Sequence, residues 1–233
     1  YQVMLHEVLR LSRLITDLLQ LSRLQSGTEY MEVAAVDVSE LLAEIHENYL
    51  HEANQRGIRL ILDADNLPYA MTDRDRIEQI LVILIDNAMR YTPKGGSITL
   101  SATAGELIIV SVSDTGCGIA AADLPHLFER FYKVDKSRKE GGTGLGLSIA
   151  KQIIDKLGER IYVESTVGEG TSFHFTLKRY VSNAIALGPS SSNVIYSNDE
   201  TPASGERADS EDAPYEVISP RHTRGRGARR KQQ

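Results

Sequence analysis

From Val3 to Leu24, apolar side chains recur at the spacing of one helix face: Met4, Leu11 and Leu18 lie seven residues apart, with Leu14 and Leu21 between them. Arg10, Arg13, Asp17 and Arg23 fall off that stripe, and Ser26-Gly27 ends it. A lone helix cannot bury such a seam, so the pattern predicts a coiled-coil or bundle partner. "YMEVAAVDV" then predicts a strand, after which Ser39 caps an amphipathic helix running to about Gln55, with Gly57 as its stop. "IRLILDAD" predicts the next strand. A helix over 74–91 presents Ile77, Ile80, Leu81, Leu84, Ile85 and Ala88 on one face. "SITLSATAGELIIVSVSD" reads as a hairpin turning at Ala104-Gly105. Residues 115–143 lack a clean period and predict a long lid, followed by a helix over 145–157 and the hairpin "RIYVESTVGEGTSFHFTL". Strands and helices mix without strict alternation. The fold class is therefore α+β, a two-layer sandwich with one mixed, mainly antiparallel sheet and helices on one face, preceded by one long coiled-coil-like helix.

Composition bounds this picture. The 233 residues are 41% hydrophobic and 6% aromatic, enough for one sizeable core with appendages. A net charge of -6 offers no general basic surface, so nucleic acid is not an expected partner. Cys117 is the sole cysteine, which rules out an intramolecular disulfide or a cysteine-rich metal site and suits a reducing compartment. No apolar run approaches the roughly 18 to 20 residues of a membrane span, and no signal peptide opens the chain. After Tyr180 the chain turns rich in Ser, Pro, Gly and acids and then basic, so 181–233 is expected to be a disordered tail. Residues 1–27 form the helical segment and 28–180 the folded domain.

Three stretches carry candidate chemistry. In "ELIIVSVSD", alternation places Ile108, Val110, Val112 and Asp114 on one face, so the aspartate continues an apolar row. A carboxylate there needs a donor, because burying it unpaired costs several kcal/mol. The exocyclic amine of adenine is one such donor, and capping of the turn at Thr115-Gly116 is the alternative. In "LIDNAMRYTPKGG", Asn87, Arg90 and Tyr91 stand at i, i+3 and i+4. An amide oxygen can serve Mg²⁺ and a guanidinium can pair with phosphates, while a solvated helix edge is the plain reading. In "GGTGLGLSIAK", Gly141, Gly142, Gly144 and Gly146 lead into a helix, and N–H groups at a helix start bind anions. Gly116-Cys117-Gly118-Ile119-Ala120-Ala121 also fits G-x-G-x-x-A, the dinucleotide fingerprint. Its context argues otherwise: Asp114 would face a pyrophosphate and the flanking strands read as hairpins. No P-loop motif occurs.

Asn87, "DTGCGI", "LFERFYK", "GGTGLGLSIAKQI" and "VGEGTSFHFTL", in that order, closely resemble the N, G1, F, G2 and terminal boxes of the sensor histidine kinase ATP-binding domain. That family lies within the GHKL superfamily, which also holds gyrase-type and Hsp90-type ATPases and shares the Bergerat sandwich. "VLRLSRLITDLLQLSRLQSG" resembles the second helix of the family's dimerisation and phosphotransfer hairpin. The resemblance implies that Asp114 binds the adenine amine with Thr171 near the base, and that Asn87 holds Mg²⁺ with Arg90 and Tyr91 near the phosphates. Gly116, Gly118 and Ile119 would belong to the ATP-binding site, and Phe128, Phe131 and Tyr132 would anchor the lid. Lys133 would reach the γ-phosphate, while Gly144, Leu145, Gly146 and Leu147 would wrap the triphosphate, with Gly142 and Thr143 also in the ATP-binding site. Asn87, Arg90 and Lys133 would then be the catalytic residues of phosphoryl transfer to histidine. The implied cofactors are ATP and Mg²⁺. The implied partners are a phosphoacceptor helix absent from this chain, a response-regulator receiver domain and a second copy, on the cytoplasmic side of a membrane-anchored sensor.

Several positions depart from the family pattern. His6-Glu7 lacks the following proline of the phosphoacceptor motif, and the register places it on the second helix, as a surface residue. Ile83 stands where hydrolysing relatives carry a glutamate, so nothing in that box can activate water. "KLGERIYVES" lacks His-Gly-Gly, and Cys117 reads as a small filler. A GHKL-type ATPase and a nucleotide-binding adaptor without kinase activity are the alternative functions.

Overall fold

The computed structural model describes residues 2–26, 30–64, 66–134 and 142–181. Helix α1 (Gln2–Gln25) leads into β1 (Ala34–Val36), α2 (Val38–Arg56), β2 (Arg59–Asp63), β3 (Ala70–Thr72) and α3 (Arg74–Tyr91). The hairpin β4 (Ser97–Ala104) and β5 (Leu107–Asp114) follows, then a 3-10 turn at Leu124–His126, α4 (Gly146–Leu157), β6 (Ile161–Thr166) and β7 (Gly170–Lys178). Gly141 and the expected tail past Val181 lie outside the described residues, as does the side chain of His6.

The main sheet has five strands in the order β2-β4-β5-β7-β6. The pair β2 and β4 is parallel and the other pairs are antiparallel, which is the mixed sheet expected. One side of it carries Ile98, Leu100, Ile108, Val110, Val112, Phe173, Phe175 and Leu177, all buried. Against them pack Leu41, Leu42 and Ile45 of α2, the predicted apolar face of α3, and Ile149, Ala150, Ile153 and Ile154 of α4. Alternation on the strands and the i, i+3, i+4 rule on the helices thus meet in one core.

Some boundaries differ from the sequence reading. The cap of α2 is Asp37, whose carboxylate accepts from the Glu40 N–H at 3.0 Å, in place of Ser39. Asp and Ser cap equally well, so composition does not separate neighbours. Gly57 ends α2 in the left-handed region, as read. The first strand shrinks to Ala34–Val36, and it pairs in a separate two-stranded sheet with β3, which the sequence reading lacks. Three residues are too few to show alternation. The hairpin turns at Gly105-Glu106, one position later than read, and α4 starts at Gly146 with Leu145 as its cap.

The α1 seam divides. Leu21 and Leu24, 2% and 1% exposed, join the core, and Leu14 packs beside them where α1 meets α4. Met4, Val8, Leu11, Ile15, Leu18 and Leu19 remain exposed. Met4, Val8, Leu11, Ile15 and Leu18 follow the alternating four-and-three spacing of a coiled-coil stripe, shifted round the helix from the buried leucines.

Candidate nucleotide-binding site

Asp114 ends β5 and pairs directly with Thr171 at the start of β7. Burial holds its carboxyl above the usual carboxylate range, opposed by the backbone N–H groups of Gly116 and Thr171. The Gly116 N–H donates to Oδ1 at 2.8 Å. The turn-cap and base-reading alternatives are therefore compatible: this bond occupies Oδ1 of a carboxylate that has a second oxygen for a further donor. Gly116 permits the close pass, since a Cβ there would stand 2.6 Å from Asp114 Oδ1 and 2.7 Å from the Tyr91 carbonyl oxygen. Gly118, at φ 67, turns the chain against the Thr166 carbonyl. The Ile119 N–H then donates 2.8 Å to Ser165 Oγ.

Helix α3 brings Asn87, half-buried, and Arg90 and Tyr91, both exposed, to the same end of the domain as the Gly116 turn. The glycine loop before α4 reaches this group. A Cβ on Gly142 would lie 2.7 Å from the Arg90 guanidinium, so the loop backbone and the cation are in contact range. At Gly146 the neighbour is the Ile83 side chain, with Cγ2 3.2 Å from a Cβ placed there. Ile83 thus acts as a spacer between α3 and the start of α4, and no carboxylate occupies its place. Leu145 is buried, Leu147 half-buried, and the Thr143 hydroxyl accepts from the Leu145 N–H at 3.3 Å while donating 2.7 Å to Asp17 of α1.

The lid anchors differ from one another. The Phe128 ring meets Phe173 edge-on at 6.4 Å, and the Tyr132 hydroxyl donates 2.5 Å to Asp123. Phe131, by contrast, is 55% exposed at φ 62, and its backbone N–H donates 2.9 Å to the Gly144 carbonyl. The left-handed φ goes with an exposed ring and an N–H aimed at the glycine loop. Lys133 lies half-buried at the end of the described lid. Cys117 is exposed and is no filler. It lines, with Arg90, Tyr91, Thr92, Thr115 and Gly116, a cavity of about 440 Å³ beside the turn; Asn87, Asp114 and Lys133 do not line it.

No group of three or more His, Cys, Asp or Glu side chains converges among the described residues. A single amide oxygen at Asn87 suits Mg²⁺ carried in on phosphates and water, which needs no all-protein cage. Ser165 is the site residue the sequence reading missed. Its signal was legible: β6 alternation puts it in line with Ile161 and Val163, a polar residue ending an apolar row as Asp114 does.

Residues 72–181 match the family model described as histidine kinase-, DNA gyrase B-, and HSP90-like ATPase. The sensor histidine kinase WalK of Bacillus subtilis is 37% identical over 187 residues, covering 74% of this chain and 29% of that relative. Among solved structures, full-length ShkA in complex with AMPPNP superimposes with a TM-score of 0.66 at 29% identity, covering 74% of this chain and 37% of that one. Histidine kinase ThkA in complex with response regulator protein TrrA gives 0.62 at 25% identity, covering 76% and 50%. The chain belongs to this ATP-binding family, as a catalytic domain of the sensor histidine kinase type. It spans 29% of the length of WalK. Among the described residues, no helix is long and apolar enough to cross a membrane.

Proposed function

We propose that this chain binds Mg·ATP and transfers the γ-phosphoryl group to a histidine on a helix supplied by another segment or chain, for relay to a receiver domain. The observation that carries the reading is the half-buried Asp114 carboxylate, held by the Gly116 N–H at 2.8 Å, at one end of a site whose glycine loop comes within contact range of Arg90. When bound, Mg·ATP supplies the reactive phosphoryl group and a divalent charge. Asp114 and Thr171 receive the base, and Asn87 gives its amide oxygen to the metal. Arg90, Lys133 and the N–H groups leading into α4 neutralise the phosphates. Catalysis is then alignment and charge stabilisation, with no covalent intermediate on the enzyme.

The exposed stripe from Met4 to Leu18 supports the acceptor helix and a second copy as partners, since it is an apolar coiled-coil face that the domain leaves uncovered. The whole protein is read as a dimeric, membrane-anchored sensor with this part in the cytoplasm and a response regulator as partner, a reading supported by the likeness to ThkA, which was solved in complex with response regulator protein TrrA. Hydrolysis is disfavoured because Ile83 fills the water-activating position with a methyl group against Gly146.

The test incubates the chain with γ-labelled ATP, with and without a helical hairpin carrying an acceptor histidine. Label should appear, acid-labile, on the hairpin alone. Steady phosphate release without the hairpin would establish an ATPase, and tight ATP binding with no transfer would establish an adaptor.

A further inference from the structure

The half-buried hydroxyl of Ser165 is the hub of three hydrogen bonds. It lies 2.8 Å from the Ile119 N–H, 2.8 Å from the Gly170 carbonyl oxygen and 2.9 Å from Thr171 Oγ1. The proton count settles the direction of each bond. The Ile119 N–H can only donate, and the Gly170 carbonyl can only accept, so the single Ser165 proton goes to Gly170. Ser165 Oγ then has a lone pair left for Thr171, whose hydroxyl must be the donor. Thr171 is 6% exposed, and among the described residues Ser165 is its side-chain partner.

With its proton committed to Ser165, Thr171 Oγ1 can only accept from a ligand. Its cross-strand neighbour is Asp114, whose carboxylate also accepts. The end of the β5–β7 ladder therefore shows two acceptors and no side-chain donor. This fits an exocyclic amine, which offers two N–H groups, and it opposes a carbonyl oxygen at the same ring position, which would face lone pairs on both sides.

We infer that Ser165 is a positioning residue for base selection: by taking the Thr171 proton, it makes the pocket reject 6-oxopurine nucleotides in favour of 6-aminopurine ones. The inference rests on the reading of Asp114 and Thr171 as the base-recognition pair. A serine acting merely as a brace between the Ile119 loop and β7 would support all nucleotides alike. A serine that sets the hydroxyl direction affects the ratio between them.

The measurement is titration calorimetry of the full chain with Mg·ATP and with Mg·ITP, which carry 6-amino and 6-oxo purines. The wild-type chain should favour ATP. Ser165→Ala releases the Thr171 hydroxyl to rotate and donate to the 6-oxo group, so the ATP-to-ITP affinity ratio should fall roughly tenfold, the effect of one hydrogen bond. Ser165→Thr keeps the hydroxyl and should retain the ratio. If Ser165→Ala does not fold, Ser165→Cys, with a weaker donor and acceptor of similar shape, should lower the ratio in the same direction. In a Thr171→Val background, changing Ser165 should leave the ratio where Thr171→Val put it. Equal losses for ATP and ITP in the Ser165 variants would overturn the inference and leave the brace. Loss of ATP binding in Asp114→Asn, together with an ATP-to-ITP ratio that Ser165→Ala leaves unmoved, would overturn this inference alone. Unchanged ATP binding in Asp114→Asn would instead overturn the underlying reading of the site.

Discussion

Replacing Asp114 by Asn separates what this side chain does for folding from what it does for binding. The asparagine oxygen can keep the 2.8 Å bond from the Gly116 N–H, which then turns the amide NH₂ toward the position of the adenine amine. A donor meets a donor, and a charge-assisted hydrogen bond worth about 1.5 to 3 kcal/mol is lost, so ATP affinity should fall roughly tenfold to more than a hundredfold. The apo protein should respond in the opposite direction. Burial raises the Asp114 pKa, so the folded state binds a proton more readily than the unfolded chain. Its ionised form therefore destabilises the fold above the folded pKa, and that cost is relieved as pH falls through it. Asn carries no such cost, and the apo variant should melt at or above the wild-type temperature at neutral pH. For binding, wild-type affinity should drop as pH falls through the raised Asp114 pKa, and the variant should lack that component. Calorimetry across pH with thermal melts of the apo proteins checks both arms. Undiminished ATP affinity in the variant would refute the reasoning, as would a large fall in apo stability, which would make Asp114 a structural cap.

Gly116→Ala places a methyl group 2.6 Å from Asp114 Oδ1 and 2.7 Å from the Tyr91 carbonyl oxygen, so it should abolish measurable ATP binding in calorimetry while the far end of the sheet keeps its hydrogen-exchange protection. Leu24→Ala empties a position 1% exposed between α1 and the core and should cost about 2 to 5 kcal/mol in denaturant unfolding, whereas Met4→Ala, at a position 72% exposed, should stay within about 0.5 kcal/mol. Lys133→Ala should reduce phosphotransfer to a supplied acceptor helix by more than it reduces ATP affinity, because the ammonium acts on charge that shifts during transfer; equal reductions would make it a simple binding residue.

Much of this was legible in the chain, for reasons that vary by residue. The apolar face of α3 fixed both ends of that helix, and strand alternation alone singled out Asp114 as a polar residue closing a buried row. The glycine loop into α4 was legible because anion binding and close approach share one residue type. Long-range pairing was less visible. Strand β3 has three residues, and nothing local says that β1 will seek it out across α2. The split of the α1 stripe depends on which leucines α4 offers a surface to, and periodicity cannot report that. Phe131 was read from residue type, while its left-handed backbone, which exposes the ring and sends the N–H to Gly144, depends on the folded lid. Ser165 went unread although its pattern matches that of Asp114, because a hydroxyl beside a turn is common enough to pass as a cap.

The central claim is that the base sits at Asp114 and the phosphates at the loop before α4. A crystal structure of the full chain soaked with Mg²⁺ and a non-hydrolysable ATP analogue tests it directly. The account predicts the adenine amine within hydrogen-bond distance of the Asp114 carboxylate, the metal on the Asn87 amide oxygen, and the triphosphate along Gly142 to Leu147 beside Arg90. Phosphates cradled instead by the Gly116 to Gly118 turn, with the base remote from Asp114, would contradict it and restore the dinucleotide-type reading of that motif.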